Sequence, residues 1–179
     1  MEEFSFKFLG NMPSFESILE IVGRIDEKGW IEYSDRKRFG GIAAEKTDTV
    51  PIIYNHNPLS TVEIIHPMMS AMSPYLDEVK DVAGEFFGPV ETRQAMLTRL
   101  PPGAEIKRHK DRGPITAKTH RVHLPVLTNS RCIFTVGDEA VHMKAGELWA
   151  IDNVGKYHSV SNAGESHRVH LIIDLIQCG

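Results

Sequence analysis

The chain has 179 residues, 41% of them hydrophobic and 25% charged, which suits one compact domain with a sizeable core. Its net charge of −4 gives no global pull toward nucleic acid or an anionic membrane, so neither is expected as a partner. No apolar run is long enough to span a bilayer, and the acidic start Met1-Glu2-Glu3-Phe4 lacks the pattern of a secretory signal. Two cysteines, Cys132 and Cys178, in a chain too large to need stapling fit a reducing cytoplasm. The one basic cluster, Arg36-Lys37-Arg38, reads as a solvated loop.

Residues 14–28 read as an amphipathic helix with Ser14 as its cap, an apolar stripe of Phe15, Ile18, Leu19, Val22 and Ile25, and Gly29 as its stop. The stretch 30–44 has no clear period, and Gly40-Gly41 marks a turn. Residues 49–54 read as a strand, placed near a sheet edge by Pro51, and Asn55-His56-Asn57-Pro58 as a turn. A second helix is expected with Ser73 as cap, Pro74 as first residue and Leu76, Val79, Val82, Ala83 and Phe86 as its buried face. Gly88-Pro89 ends it. Met68, Met69 and Met72 before it read as core filler.

From Thr92 onward short apolar runs alternate with turn residues. Runs at 95–100, 121–127, 132–136, 147–151 and 169–176 read as strands. Helices first and strands second point to a mainly β fold with helices, a jelly roll with N-terminal helices packed on it. The chain is expected to form a single domain over 1–179, with 1–91 as a helical and strand support region and 92–176 as the jelly-roll core.

The chemistry concentrates between His109 and Arg168. In an extended strand, side chains two apart share a face, so His109 and Asp111 offer one nitrogen and one carboxylate side by side. His158 lies far enough downstream for the chain to return through several strands. Two histidines and a carboxylate on one side of a metal are the ligand set of non-haem Fe(II) oxygenases. Taken singly, these residues are as readily surface histidines and a turn aspartate. A rival ligand set comes from the repeated His-Arg-Val-His-Leu at 120–124 and 167–171. His120 with His123, or His167 with His170, are three apart and face opposite sides of a strand, so neither pair grips one ion. Arg121 with His123, and Arg168 with His170, share a face and aim into the barrel. An arginine there is costly unless an anion or an ion-pair partner meets it. His123 and His170 also read as hydrogen-bonded interior histidines, and Arg121 as one half of an ion pair. His120, His142, His167, Glu147 and Trp149 are left outside the site.

These residues resemble the Fe(II)/2-oxoglutarate-dependent oxygenases, specifically the aspartyl/asparaginyl β-hydroxylase-like branch, which includes bacterial hydroxylases of free amino acids. The matching motifs are Leu100-Pro101-Pro102-Gly103 before the strand to His109, Arg121-Val122-His123-Leu124, Gly146-Glu147-Leu148-Trp149, His158-Ser159 and Arg168-Val169-His170-Leu171 ending in Asp174. They cover roughly 92–174. The resemblance implies a double-stranded β-helix, Fe(II), 2-oxoglutarate and O2. It implies His109, Asp111 and His158 as metal ligands, and Arg168 with the Thr98 hydroxyl on the distal carboxylate of 2-oxoglutarate. Arg121 and His123 fall near the end that chelates the metal. The animal aspartyl hydroxylase has glycine where this chain has Asp111, so its substrate does not transfer directly. The expected substrate is an amino acid, free or as an aspartyl or asparaginyl residue in a peptide, with specificity expected around 30–54. Two other readings stand beside this one: a cupin-like metalloenzyme that needs no 2-oxoglutarate, and a non-catalytic β-barrel that binds a small molecule.

Overall fold

In the computed structural model of the chain, residues 4–33, 46–54, 63–64, 68–113 and 116–178 are described. A first strand β1 (Phe6–Asn11) leads to helices α1 (Phe15–Gly23) and α2 (Glu27–Tyr33), then to β2 (Asp48–Tyr54), β3 (Glu63–Ile64) and the long helix α3 (Met69–Phe87). The strands β4 (Val90–Leu100), β5 (Glu105–His109), β6 (Thr119–Leu127), β7 (Cys132–Val136), β8 (Glu139–Val141), β9 (Glu147–Ile151), β10 (His158–Asn162) and β11 (Arg168–Gln177) follow. They form a seven-stranded sheet in the order β1-β9-β6-β11-β4-β2-β3 and a four-stranded sheet in the order β5-β10-β7-β8. The mainly β architecture with helices on one side is the expected jelly roll. The strands β1, β2 and β3, from the N-terminal half, extend its larger sheet.

Period-two alternation divides the larger sheet into two faces. On β11, Val169, Leu171, Ile173 and Leu175 join Val122, Leu124 and Val126 of β6 in the core beneath the helices. The opposite face carries Arg168, His170 and Asp174, all buried. It meets a second, smaller cluster inside the barrel that includes Leu100, Ile106, Phe134, Met143 and Val160. Polar groups of the larger sheet are therefore enclosed between the two sheets.

The helix boundaries differ from those expected. The first helix ends at Gly23. Asp26 then starts a separate helix by accepting the Gly29 N–H at 2.7 Å, so Gly29 lies inside α2 and stops nothing. Ser14 makes no side-chain cap, and its N–H donates to Glu78 Oε1 of α3 at 3.1 Å. Ser73 and Pro74 lie within α3, which begins at Met69. The enclosed Met72 anchors this extra turn and offsets the hydrogen bond that Pro74 cannot donate. Leu76, Val79, Ala83 and Phe87 form the buried stripe, whereas Phe86 is 42% exposed beneath the Lys7 ammonium. The basic cluster at 36–38, Gly40-Gly41 and the turn at 55–58 lie outside the described residues. Among the described residues no helix is long and apolar enough to cross a membrane.

Candidate functional site

A bulge aims the first ligand. Val160 of β10 pairs with Ile106 of β5, but His158 pairs with His109, so β5 carries one residue more than β10 between these pairs. The extra residue turns both Ile106 and His109 inward although they are three apart. The His109 and His158 rings lie 4.3 Å apart. Asp111 follows just beyond β5, where its backbone N–H donates to the Asn153 carbonyl at 2.9 Å. Its Oδ1 sits 3.5 Å from His109 Nε2 and 3.8 Å from His158 Nε2. One ligand atom from each of the three residues lies within 4.8 Å of the others.

The protonation states of Asp111 and His158 suit a cation. His109 Nδ1 donates to the Lys107 carbonyl at 2.7 Å, which leaves Nε2 as the free donor atom. Contact with Asp111 lifts the His109 pKa above its ordinary value. Burial pushes His158 down to about 4, keeping it in the neutral form that ligates metals. Burial works against ionised Asp111, but the Arg121 charge and hydrogen bonds from His109 and Asn153 outweigh it and hold the carboxyl well below the usual carboxylate range. Two imidazole nitrogens and one carboxylate oxygen converging on one point fit a divalent ion such as Fe(II).

Arg121 is occupied. Its Nε and Nη2 donate to the two oxygens of Asp174 at 2.7 and 2.8 Å, and its Nη1 donates to Asp111 Oδ2. Asn153 Nδ2 reaches the same oxygen at 2.9 Å. The resemblance put Arg121 near the metal-chelating end of a co-substrate, whereas here two carboxylates engage three of its nitrogens. Asp174 and Asn153 were not among the site residues expected from sequence. Asp174 was legible in principle, because it shares a strand face with Arg168 and His170. Asn153 sits in the loop before His158 and gave no signal.

Deeper in the barrel lies a buried cation. Arg168 is 2% exposed, donates from Nη2 to His170 Nδ1 at 2.7 Å, and stands 5.8 Å from the Phe134 ring. Among the described residues no carboxylate pairs with it. Burial pushes its pKa down to about 9. His170 Nδ1 is also 3.4 Å from His123 Nδ1, and burial together with the Arg168 charge holds both imidazoles neutral. Thr98 pairs across the strands with His170. Its hydroxyl, His123 Nε2 and the Thr128 hydroxyl are buried without a hydrogen-bond partner among the described residues. Thr128 lines a small cavity with Arg168, His170 and Phe134. Unpartnered hydroxyls near a buried guanidinium are receptive to an anion.

Four of the residues left outside the site have structural partners. His120 stacks on Phe87 at 4.1 Å, His142 Nδ1 bonds the Cys132 carbonyl at 3.0 Å, and Trp149 Nε1 donates to Glu147 at 2.9 Å. Both cysteines are free thiols.

A family model described as aspartyl/asparaginyl beta-hydroxylase matches residues 51–178. The L-proline cis-4-hydroxylase of Rhizobium meliloti (strain 1021) is 30% identical over 123 residues, which cover 69% of this chain and 41% of that enzyme. The chain thus spans about two fifths of the length of this relative. Among solved structures, an oxidoreductase of the 2OG-Fe(II) oxygenase family from Burkholderia pseudomallei matches with a TM-score of 0.62 at 13% identity, covering 73% of this chain and 66% of that one. The collagen prolyl hydroxylase of Paramecium Bursaria Chlorella virus-1, solved with 2OG, matches with a TM-score of 0.60 at 9% identity, covering 98% and 97%. At these identities the structural likeness is one of fold. The family match runs from within β2 to the end of β11 and takes in the His109, Asp111 and His158 donor set and the residues around Arg168, and on that ground the chain belongs to the aspartyl/asparaginyl β-hydroxylase family.

Proposed function

We propose that this chain is an Fe(II)- and 2-oxoglutarate-dependent dioxygenase that hydroxylates an amino acid, free or as an aspartyl or asparaginyl residue in a peptide. One observation carries the reading: a His109-Asp111-His158 donor set and a buried Arg168 that has no carboxylate partner among the described residues lie in the same barrel. The first asks for a cation and the second for an anion. Family membership and the proline hydroxylase relative support the reaction type.

In this reading His109, Asp111 and His158 hold the metal on one face and leave the opposite positions open. The Lys107 carbonyl fixes the His109 tautomer, and Arg121 with Asn153 fixes the Asp111 carboxylate. Arg168 and the Thr98 hydroxyl take the distal carboxylate of 2-oxoglutarate, and His123 lies near the end that chelates the metal. Phe134, Met143 and Val160 around Arg168 exclude water and strengthen its hold on an anion. When bound, iron supplies the activation of O2: one oxygen atom enters a substrate C–H bond as hydroxyl, and the other leaves in succinate as 2-oxoglutarate loses CO2.

The test is oxygen-dependent conversion of 2-oxoglutarate to succinate by the iron-loaded protein. L-proline, other free amino acids and Asp- or Asn-containing peptides are offered in parallel. Stimulation by one substrate class, with a hydroxylated product, is expected. Metal-dependent turnover that ignores 2-oxoglutarate would point to the cupin-like alternative, and small-molecule binding indifferent to metal would point to a non-catalytic barrel.

A further inference from the structure

We propose that Asp174 is a positioning residue for Asp111, acting through Arg121; the proposal rests on the metal-site reading above. Asp174 is 1% exposed in a strand segment whose neighbours Ile173 and Leu175 are fully buried. A carboxylate there is costly unless fully paired. Both of its oxygens are engaged by Arg121, one by Nε and one by Nη2. The two residues face each other in register across β11 and β6. This two-pronged grip between adjacent strands fixes the guanidinium plane. It leaves Nη1 aimed at Asp111 Oδ2.

That geometry decides how Asp111 meets a metal. Asp111 lies beyond the end of β5, so no ladder holds its side chain. Arg121 Nη1 and Asn153 Nδ2 occupy Oδ2, and Oδ1 is left facing the two histidines. Asp111 is thereby presented as a one-oxygen donor in a single orientation. Arg121 alone would do this poorly. Its full positive charge beside a dication would repel the ion and compete with it for the same carboxylate. Asp174 cancels that charge, so the guanidinium orients Asp111 without neutralising it. The arrangement belongs to a chain that carries aspartate at position 111, since a glycine there leaves Arg121 Nη1 without this carboxylate.

A double-mutant cycle read by Ni(II) binding tests this in the absence of turnover. Nickel suits it because two imidazoles still hold this ion measurably. Asp174→Asn should weaken Ni(II) by about tenfold or more, the usual effect of losing an outer-shell partner. In an Asp111→Ala background the same change should cost several-fold less, because only the repulsion from the uncancelled Arg121 charge remains. If Asp174→Asn weakens nickel equally in both backgrounds, or in neither, Asp174 is merely structural and the proposal falls. Should Asp174→Asn fail to fold by circular dichroism, Asp174→Glu keeps the charge but displaces the guanidinium, and the cycle runs with the same two readings. If Asp111→Ala alone binds nickel like the parent, the metal-site reading fails first and takes the proposal with it.

Discussion

Replacing Arg168 with methionine should make the ligand-free protein more stable and cost it its co-substrate. The guanidinium is buried, and its partners are one imidazole nitrogen at 2.7 Å and the face of Phe134. Burial pushes its pKa far below the ordinary guanidinium value, to about 9, which corresponds to roughly 5 kcal/mol against the charged form. Methionine fills similar space without that cost. It forfeits the hydrogen bond to His170 and the contact with Phe134, together about 2 kcal/mol. A net gain of about 1–3 kcal/mol is expected, in line with other replacements of buried charges by apolar side chains. Losing a buried charged contact to a carboxylate costs about 2–5 kcal/mol of binding, or roughly 30-fold to several thousand-fold in affinity for 2-oxoglutarate. Urea unfolding of the metal-free protein gives the first quantity, and calorimetric titration of 2-oxoglutarate into the nickel-loaded protein gives the second. Added 2-oxoglutarate should raise the unfolding midpoint of the nickel-loaded parent and leave that of the variant in place. A variant less stable than its parent without ligand, or one that binds 2-oxoglutarate equally well, would refute the reasoning.

His109→Ala and His158→Ala should each abolish tight Fe(II) binding while leaving the fold intact, as read by metal titration and circular dichroism; wild-type affinity in either removes that residue from the metal site. Asp111→Asn and Asp111→Gly should both lose iron affinity and succinate formation, because both remove the anionic oxygen; full activity in Asp111→Asn would reduce Asp111 to a turn former. Acid should destabilise the metal-free protein before its carboxylates titrate. The folded pKa of His158 is about 4 against an ordinary 6.5, so between these values the unfolded chain binds a proton that the folded one refuses. Stability from this group is therefore full above pH 6.5 and falls as pH drops toward 4, by roughly 3 kcal/mol in all. Buried His123 and His170, held neutral in the same way, act with the same sign, and His109, whose pKa is raised, opposes them. An unfolding midpoint that is unchanged between pH 7 and pH 5 would count against this.

What could be read from the sequence followed side-chain alternation. Arg168 and His170 sharing an interior face, and His120 parting from His123, came from period two alone, and the larger sheet places them so. Elements whose burial is decided by distant partners were not legible. The strand β10 reads His-Ser-Val-Ser-Asn, polar enough to pass for a loop. Its buried Asn162 is satisfied by the Leu100, Pro101 and Ser166 carbonyls, which no local pattern announces. The bulge in β5 escaped for the same reason, since only pairing with β10 shows that Ile106 and His109 share a side. The Arg121–Asp174 pair was half visible: both faces were predictable, but not that β6 and β11 are neighbours. Pro74 misled in the opposite direction, as a start signal overruled by the burial of Met72.

The buried charges argue for the co-substrate as well as for the metal. At the metal end Asp111 and Asp174 contribute two negative charges and Arg121 one positive, leaving a deficit of one. Further in, Arg168 stands beside neutral His123 and His170 with a surplus of one. A single ligand cannot correct both, because the two ends are separate and uncompensated buried charge is penalised locally. A dication at the first end overshoots by one, and a carboxylate chelating it restores neutrality. A second carboxylate is then needed at Arg168. A metalloenzyme whose ligands bring no carboxylate leaves Arg168 unpaired, and a small-molecule barrel that binds no metal leaves the Asp111 end unbalanced. A divalent metal together with an acid carrying one carboxylate at each end, as 2-oxoglutarate does, neutralises every buried charge of the site in place.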